Sequence, residues 1–195
     1  EAYGVYADTS IGNFTNSGSI SASASATGNN TEAYGVYADT SIGNFTNNGS
    51  ISATANATGG HAGAAGVSAD SIDNFTNSGS ILAIATATGG NAEAAGVYAD
   101  SSIGNFTNSN TGSISASASA TGGDAWAAGV EAWGSIGNIG NFTNSGNITV
   151  SANATGGRAE AYGVDAGSID NFTNSGDISA SANANATAGW AGAAG

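Results

Sequence analysis

The tetrapeptide Asn-Phe-Thr-Asn begins at Asn13, Asn44, Asn74, Asn105, Asn141 and Asn171, at spacings of 31, 30, 31, 36 and 30 residues. Self-similarity at a fixed period of this length marks a chain in which each repeat packs only on its neighbours. Aligned on the tetrapeptide, the repeats fall at about 1–31, 32–62, 63–92, 93–125, 126–159 and 160–191, and a seventh opens at 192–195. The long spacing holds two insertions, Asn110-Thr111 and a second within residues 133–140.

The alignment gives columns. Val5, Val36, Val67, Val97, Val130 and Val164 share one position, each preceded by Gly and followed two residues later by Ala. Phe14, Phe45, Phe75, Phe106, Phe142 and Phe172 share another, and Ile20, Ile51, Ile81, Ile114, Ile148 and Ile178 a third. Within a repeat the period is two: 19–27 and 113–121 alternate small polar and apolar residues without a break. Strict alternation is the pattern of a strand with one buried face. Ser, Thr, Asn and Gly at this density oppose a helix.

Each repeat divides into about three strands, near 3–7, 14–16 and 20–26, with Gly and Asn at the joins. One repeat buries too little to fold alone. Stacking six in register pairs the backbone of each with the coil above and below. The expected fold is therefore all-β: a parallel β-solenoid of about six coils of about 31 residues, three strands per coil. Coils spaced ~4.8 Å apart make a rod of roughly 29 Å. The column Asn16, Asn47, Asn77, Asn108, Asn144 and Asn174 lies two residues after Phe and shares its inward side. Buried amides need partners, and a stack in which each donates to the next supplies them.

Phe14-x-Asn16-x-Gly18-x-Ile20, the small alternating residues after it, and then Ala-x-Gly-Val resemble the passenger-type repeats of bacterial autotransporters and related surface adhesins. The resemblance covers all six repeats. It implies a right-handed β-helix projecting from a cell surface, hence an extracellular or cell-surface location. The repeat here is longer and more regular than in most such passengers, and no membrane-anchoring barrel follows within these residues.

The charge is one-sided. Fourteen acids stand against Arg158 alone, giving a formal net charge of −13. Nucleic-acid binding needs Lys or Arg at the phosphates and is excluded as a function class. Anionic membrane surfaces are disfavoured for the same reason, and no apolar run is long enough to insert across a bilayer.

The acids are columnar: Asp8, Asp39, Asp70 and Asp100 share one position, Glu1, Glu32, Glu93 and Glu160 another. An active site occurs once, so acids repeated from coil to coil read as structural and the chain as a non-enzyme. Like charges this close need screening or a bridging cation, which makes the four aspartates candidate ligands for weakly bound Ca²⁺. Arg158 and His61 lie in turns and read as solvated. Asn-x-Ser/Thr sequons are frequent, and in the Asn-Phe-Thr set the Asn faces outward.

With Ile20 and the following Ala inward, Ser21, Ser23, Ser25, Thr27 and their equivalents form a flat, neutral, hydroxyl-rich outer face. Leu82 and Ile84 interrupt it, and exposed apolar spots mark contacts. Tyr6, Tyr37 and Tyr98 share an outward column, a second candidate contact surface. Three functions compete: a structural fibre, filament or adhesin stalk; an ice-binding protein using the Ser/Thr face; and a carbohydrate-binding module stacking host or surface glycans on Tyr and Trp. Neither end of the array carries a polar cap. The expected partners are further repeats of a longer chain or copies stacked end to end.

Overall fold

The computed structural model describes residues 1–133, 137–185 and 189–195, and among these all regular structure is strand. The first coil holds β1 (Ala2–Ala7), β2 (Ser10–Asn16) and β3 (Ser19–Thr27). The second holds β4 (Thr31–Asn47) and β5 (Ser50–Thr58), the third β6 (Ala62–Asn77) and β7 (Ser80–Thr88), the fourth β8 (Ala92–Asn108) and β9 (Ser113–Thr121). The fifth holds β10 (Ala125–Ala132), β11 (Asn138–Asn144) and β12 (Asn147–Thr155), the sixth β13 (Ala159–Ala166), β14 (Ser168–Asn174) and β15 (Asp177–Ala184), and β16 (Ala191–Ala194) opens a seventh. In coils two to four the first two expected strands run on as one, with a register shift at the corner after Ala38 and after Ala69.

Every pairing is parallel and in phase with the repeat. One sheet runs β1-β4-β6-β8-β10-β13-β16, extended along its flank by β2, β11 and β14; the other runs β3-β5-β7-β9-β12-β15. The chain is therefore a parallel β-solenoid, as the columns require. Val36 pairs with Val67, Phe45 with Phe75 and Ile51 with Ile81. Both insertions leave this register intact. Asn77 pairs with Asn108 and Ser80 with Ser113 on either side of the first, while Asn110-Thr111 bulges outward and Thr111 Oγ1 donates to Ser78 O at 2.9 Å.

The core is a set of axial stacks. The six Phe rings lie parallel, 4.8–5.0 Å apart at interplanar angles of 1–9°. Alternate Ala of the second sheet are buried opposite them. A further core column was missed from the sequence: Ile42, Ile72, Ile103 and Ile139 are fully buried, with Ile11 and Ile169 partly so in the terminal coils. Ile lies three residues before Phe, a spacing that strict alternation would place on opposite faces. The pairing skips the intervening residue of the Gly12 and Gly43 column, which resets the phase. The same slip occurs at Gly35, where Ala33 and Val36 both point inward. A Cβ on Gly35 would lie 2.3 Å from Ile51 Cγ2 and 2.5 Å from Gly66 O, so the two sheets approach too closely for any side chain. Coils are joined at Gly28, Gly59, Gly89, Gly122 and Gly156, all with φ of 81–106°, a region that disfavours side chains.

Candidate functional site

Two amide ladders brace the rod. The expected one is present: Asn16, Asn47, Asn77, Asn108 and Asn144 each donate Nδ2–H to the Oδ1 of the next coil's Asn at 2.8–2.9 Å, ending on Asn174. All five donors are buried. Each also closes the turn behind it, as where Asn16 Oδ1 accepts from Gly18 N at 3.1 Å.

The second ladder was not foreseen. Asn44, Asn74, Asn105, Asn141 and Asn171 each donate to the Asn of the preceding coil, from Asn44 onto Asn13 at 2.7 Å to Asn171 onto Asn141 at 2.9 Å. These residues are exposed and donate in the opposite axial direction to the inner ladder. The two rows of amide dipoles therefore oppose one another, and their axial components partly cancel. The outer row is also the Asn-Phe-Thr sequon row. At a ~4.8 Å rise a glycan on one coil crowds its neighbours.

The aspartate column is not assembled into a metal centre. Asp100 Oδ1 accepts from Tyr98 Oη at 2.6 Å, and Asp70 Oδ1 from Ser101 Oγ at 2.7 Å. Among the described residues no three acidic, His or Cys side chains converge as metal ligands. Leu82 and Ile84 stand on the outer hydroxyl face, half-buried between Ser52 and Thr54 on one side and Ser115 and Ser117 on the other.

The outer face of the first sheet carries two side-chain columns. Tyr6 stacks on Tyr37 at 5.6 Å, and the column continues through Ser68, Tyr98, Glu131 and Asp165. A parallel column holds Tyr3, Tyr34, Ala65, Ala95, Ala128 and Tyr162. Tyr at its ends and Ala in the middle leave a trough over coils three to five. Its volume is about 620 Å³, within the range of small-molecule sites. Ala64, Ala65, Ala94 and Ala95 line its floor, and Tyr34, Tyr37, Tyr98, Trp126 and Trp133 stand around it. Along one flank lie Glu32, Glu93, Asp124 and Glu160, with His61 and Arg158.

Most polar groups here have partners within the protein. Tyr34 Oη donates to Glu32 at 3.0 Å and Tyr162 Oη to Glu160 at 2.8 Å. His61 Nε2 lies 3.8 Å from Glu93. Arg158 is solvent-exposed, as expected, and also pairs with Glu160 and sits over the Trp190 ring at 5.3 Å. Burial, then the carboxylates of Asp100, Glu131 and Glu93 together with a hydrogen bond to Asp100, raises the Tyr98 phenol.

Glu131 differs. It is 3 % exposed, and its Oε2 finds no hydrogen-bond partner among the described residues. Burial first, then the charges of Asp165, Glu93 and Asp100, push its carboxyl up to about 9. Asp165, next in register, is raised by burial and by Glu160. An unpaired buried carboxyl is expensive, and Glu131 is the most polar-starved group of the trough. Sequence reading passed over it because Tyr holds its column in three other coils.

No protein family matches the chain, and no curated protein or solved structure resembles it significantly.

Proposed function

We propose that this chain is a structural rod: a segment or subunit of an extracellular stalk, fibre or adhesin, as its resemblance to autotransporter passenger repeats implies. The observation that carries the reading is the unbroken axial register. Two amide ladders, a Phe stack and two Ile columns pass through every coil and across both insertions. Each coil presents to the next the same backbone edge and the same core cross-section. Such a rod lengthens by adding coils, from the same chain or from another copy, and each added coil buries the core left open beneath it.

Negative-stain microscopy tests the proposal. The expected result is rods of constant width with a spread of lengths. A uniform population of particles no longer than one chain would overturn it.

A second reading, ice binding, draws on one column. Thr27, Thr58, Thr88, Thr121 and Thr155 are exposed and in strict register, a regular rank of hydroxyls at a ~4.8 Å rise. The neighbouring columns are mixed Ser, Thr, Asn, Leu and Ile, so the regular array is one residue wide. Faceted crystals in a nanolitre ice-growth assay are the outcome that favours this reading over the rod.

A further inference from the structure

We propose that the trough over coils three to five is a binding site for a linear polyamine, with Glu131 as the residue that takes one of its ammonium groups. Three independent features meet there.

The first is shape. The floor is the run of Ala that replaces Tyr between Tyr34 and Tyr162. The second is charge. Glu32, Glu93, Asp100, Asp124 and Glu160 line the trough against the single permanent cation Arg158, which Glu160 already pairs. The third is the Glu131 oxygen in the trough wall, buried and without a donor among the described residues.

These features select the ligand. A neutral sugar offers hydroxyls but leaves the excess negative charge unanswered. An inorganic cation is compact and strongly hydrated, and among the described residues no three carboxylates converge to hold one. A linear polyamine carries ammonium groups separated by methylene runs. Glu32, Glu93 and Glu160 share one register column, with Gly63 and Trp126 between them, so charges recur about every second coil, ~10 Å apart. Methylenes lie over the Ala floor, ammonium groups reach the flank, and Tyr37, Tyr98 and Trp126 offer π faces to the cation. At Glu131 the ligand N–H donates to the orphaned oxygen.

Binding is coupled to protons. Glu131 is flanked in register by Tyr98 on β8 and Asp165 on β13, with Glu93 and Asp100 also on β8. Burial first, and then the charges of Asp165, Glu93 and Asp100, keep it protonated at neutral pH. An arriving ammonium expels that proton, so affinity rises with pH from 7 towards 9.

The test is calorimetric titration of the intact protein with spermidine at moderate salt, which screens diffuse attraction. It is run in two buffers of different ionisation enthalpy to count protons. Tetramethylammonium, a cation with no N–H, and the neutral N-acetylglucosamine tetramer serve as comparison ligands. Two variants are used. Glu131→Gln keeps the shape and removes the carboxyl that can ionise against the ligand. Ala95→Tyr fills the trough with a residue its own column already carries at Tyr34 and Tyr162, so the fold accepts it. The expected result is saturable binding with proton release, at least ~10-fold weaker in E131Q and lost in A95Y, with neither comparison ligand competing. Three results overturn the assignment: no spermidine binding up to pH 9, affinity unchanged in both variants, or the neutral tetramer binding as well as the amine. None of these bears on the rod, which microscopy judges separately.

Discussion

Asn74 and Asn77 lie in the same strand, three residues apart, and each makes two ladder bonds with its neighbours above and below. Replacing each by Ala separates the value of an amide ladder from the value of its burial. In Asn77→Ala the bond from Asn47 at 2.8 Å and the bond to Asn108 at 2.9 Å are lost. Asn47 Nδ2 keeps weaker contacts with Gly49 O and Ser80 O at 3.3 Å. Asn108 Oδ1 loses its donor at a site with no solvent exposure. Two net hydrogen bonds at about 1 kcal/mol each and one orphaned acceptor at about 1–3 kcal/mol give a loss near 4 kcal/mol. In Asn74→Ala the bonds lost, at 3.0 and 2.8 Å, are just as good in geometry. All their atoms are exposed, however, and water takes the vacated positions, so the cost should stay below about 1 kcal/mol. Urea unfolding followed by circular dichroism compares the two midpoints, which is safer here than an extrapolated free energy because repeat arrays lose cooperativity. Equal destabilisation by the two variants refutes the reasoning, since burial would then have no part in what the ladder contributes.

Other consequences are as direct. Phe75→Ala opens a void in the middle of the ring stack and should cost about 3–5 kcal/mol; the same change at Phe172, half-exposed, should cost less than half of that in the same melt. Gly66→Ala places a Cβ 2.3 Å from Ile81 Cγ2 and 2.6 Å from Gly96 O, and the resulting overpacking lowers the unfolding midpoint by the equivalent of at least ~1–3 kcal/mol. Glu131 gives a pH signature. Its carboxyl is raised from an ordinary 4.5 to about 9, so the folded state holds a proton that the unfolded state releases between these values. Its stabilising effect is whole below pH 4.5 and is lost progressively as pH rises to about 9, on the order of 3 kcal/mol by pH 7. Thermal melts of E131Q against the wild type should therefore diverge with rising pH, the variant becoming the more stable; parallel curves would sink the assignment of a buried, unpaired Glu131.

How much of this was legible follows from how each feature arises. The period, the Val, Phe and Ile51-type columns and the inward Asn were readable because each rests on spacing along the chain, and stacking only brings equal positions together. The inner ladder followed because an amide two residues after a buried Phe must be buried too. The Ile42 column and the outward pairing of Tyr34 with Tyr37 were not readable by alternation. At Gly35 and Gly43 the pairing skips a residue, and the phase of the strand reverses there. Only the close approach of Gly35 to Ile51 across the core shows why.

The sequence by itself determined that this protein is a stack of near-identical coils with a fixed cross-section, since repetition leaves the backbone few other ways to satisfy its hydrogen bonds. Tertiary structure decided everything that depends on differences between coils. The trough exists because Ala65, Ala95 and Ala128 stand where other coils have Tyr, and because Glu131 stands where others have Tyr, Ser or Asp. Ala65, Ala95 and Ala128 lie 30 or more residues apart. They acquire meaning only when a rise of ~4.8 Å per coil sets them side by side.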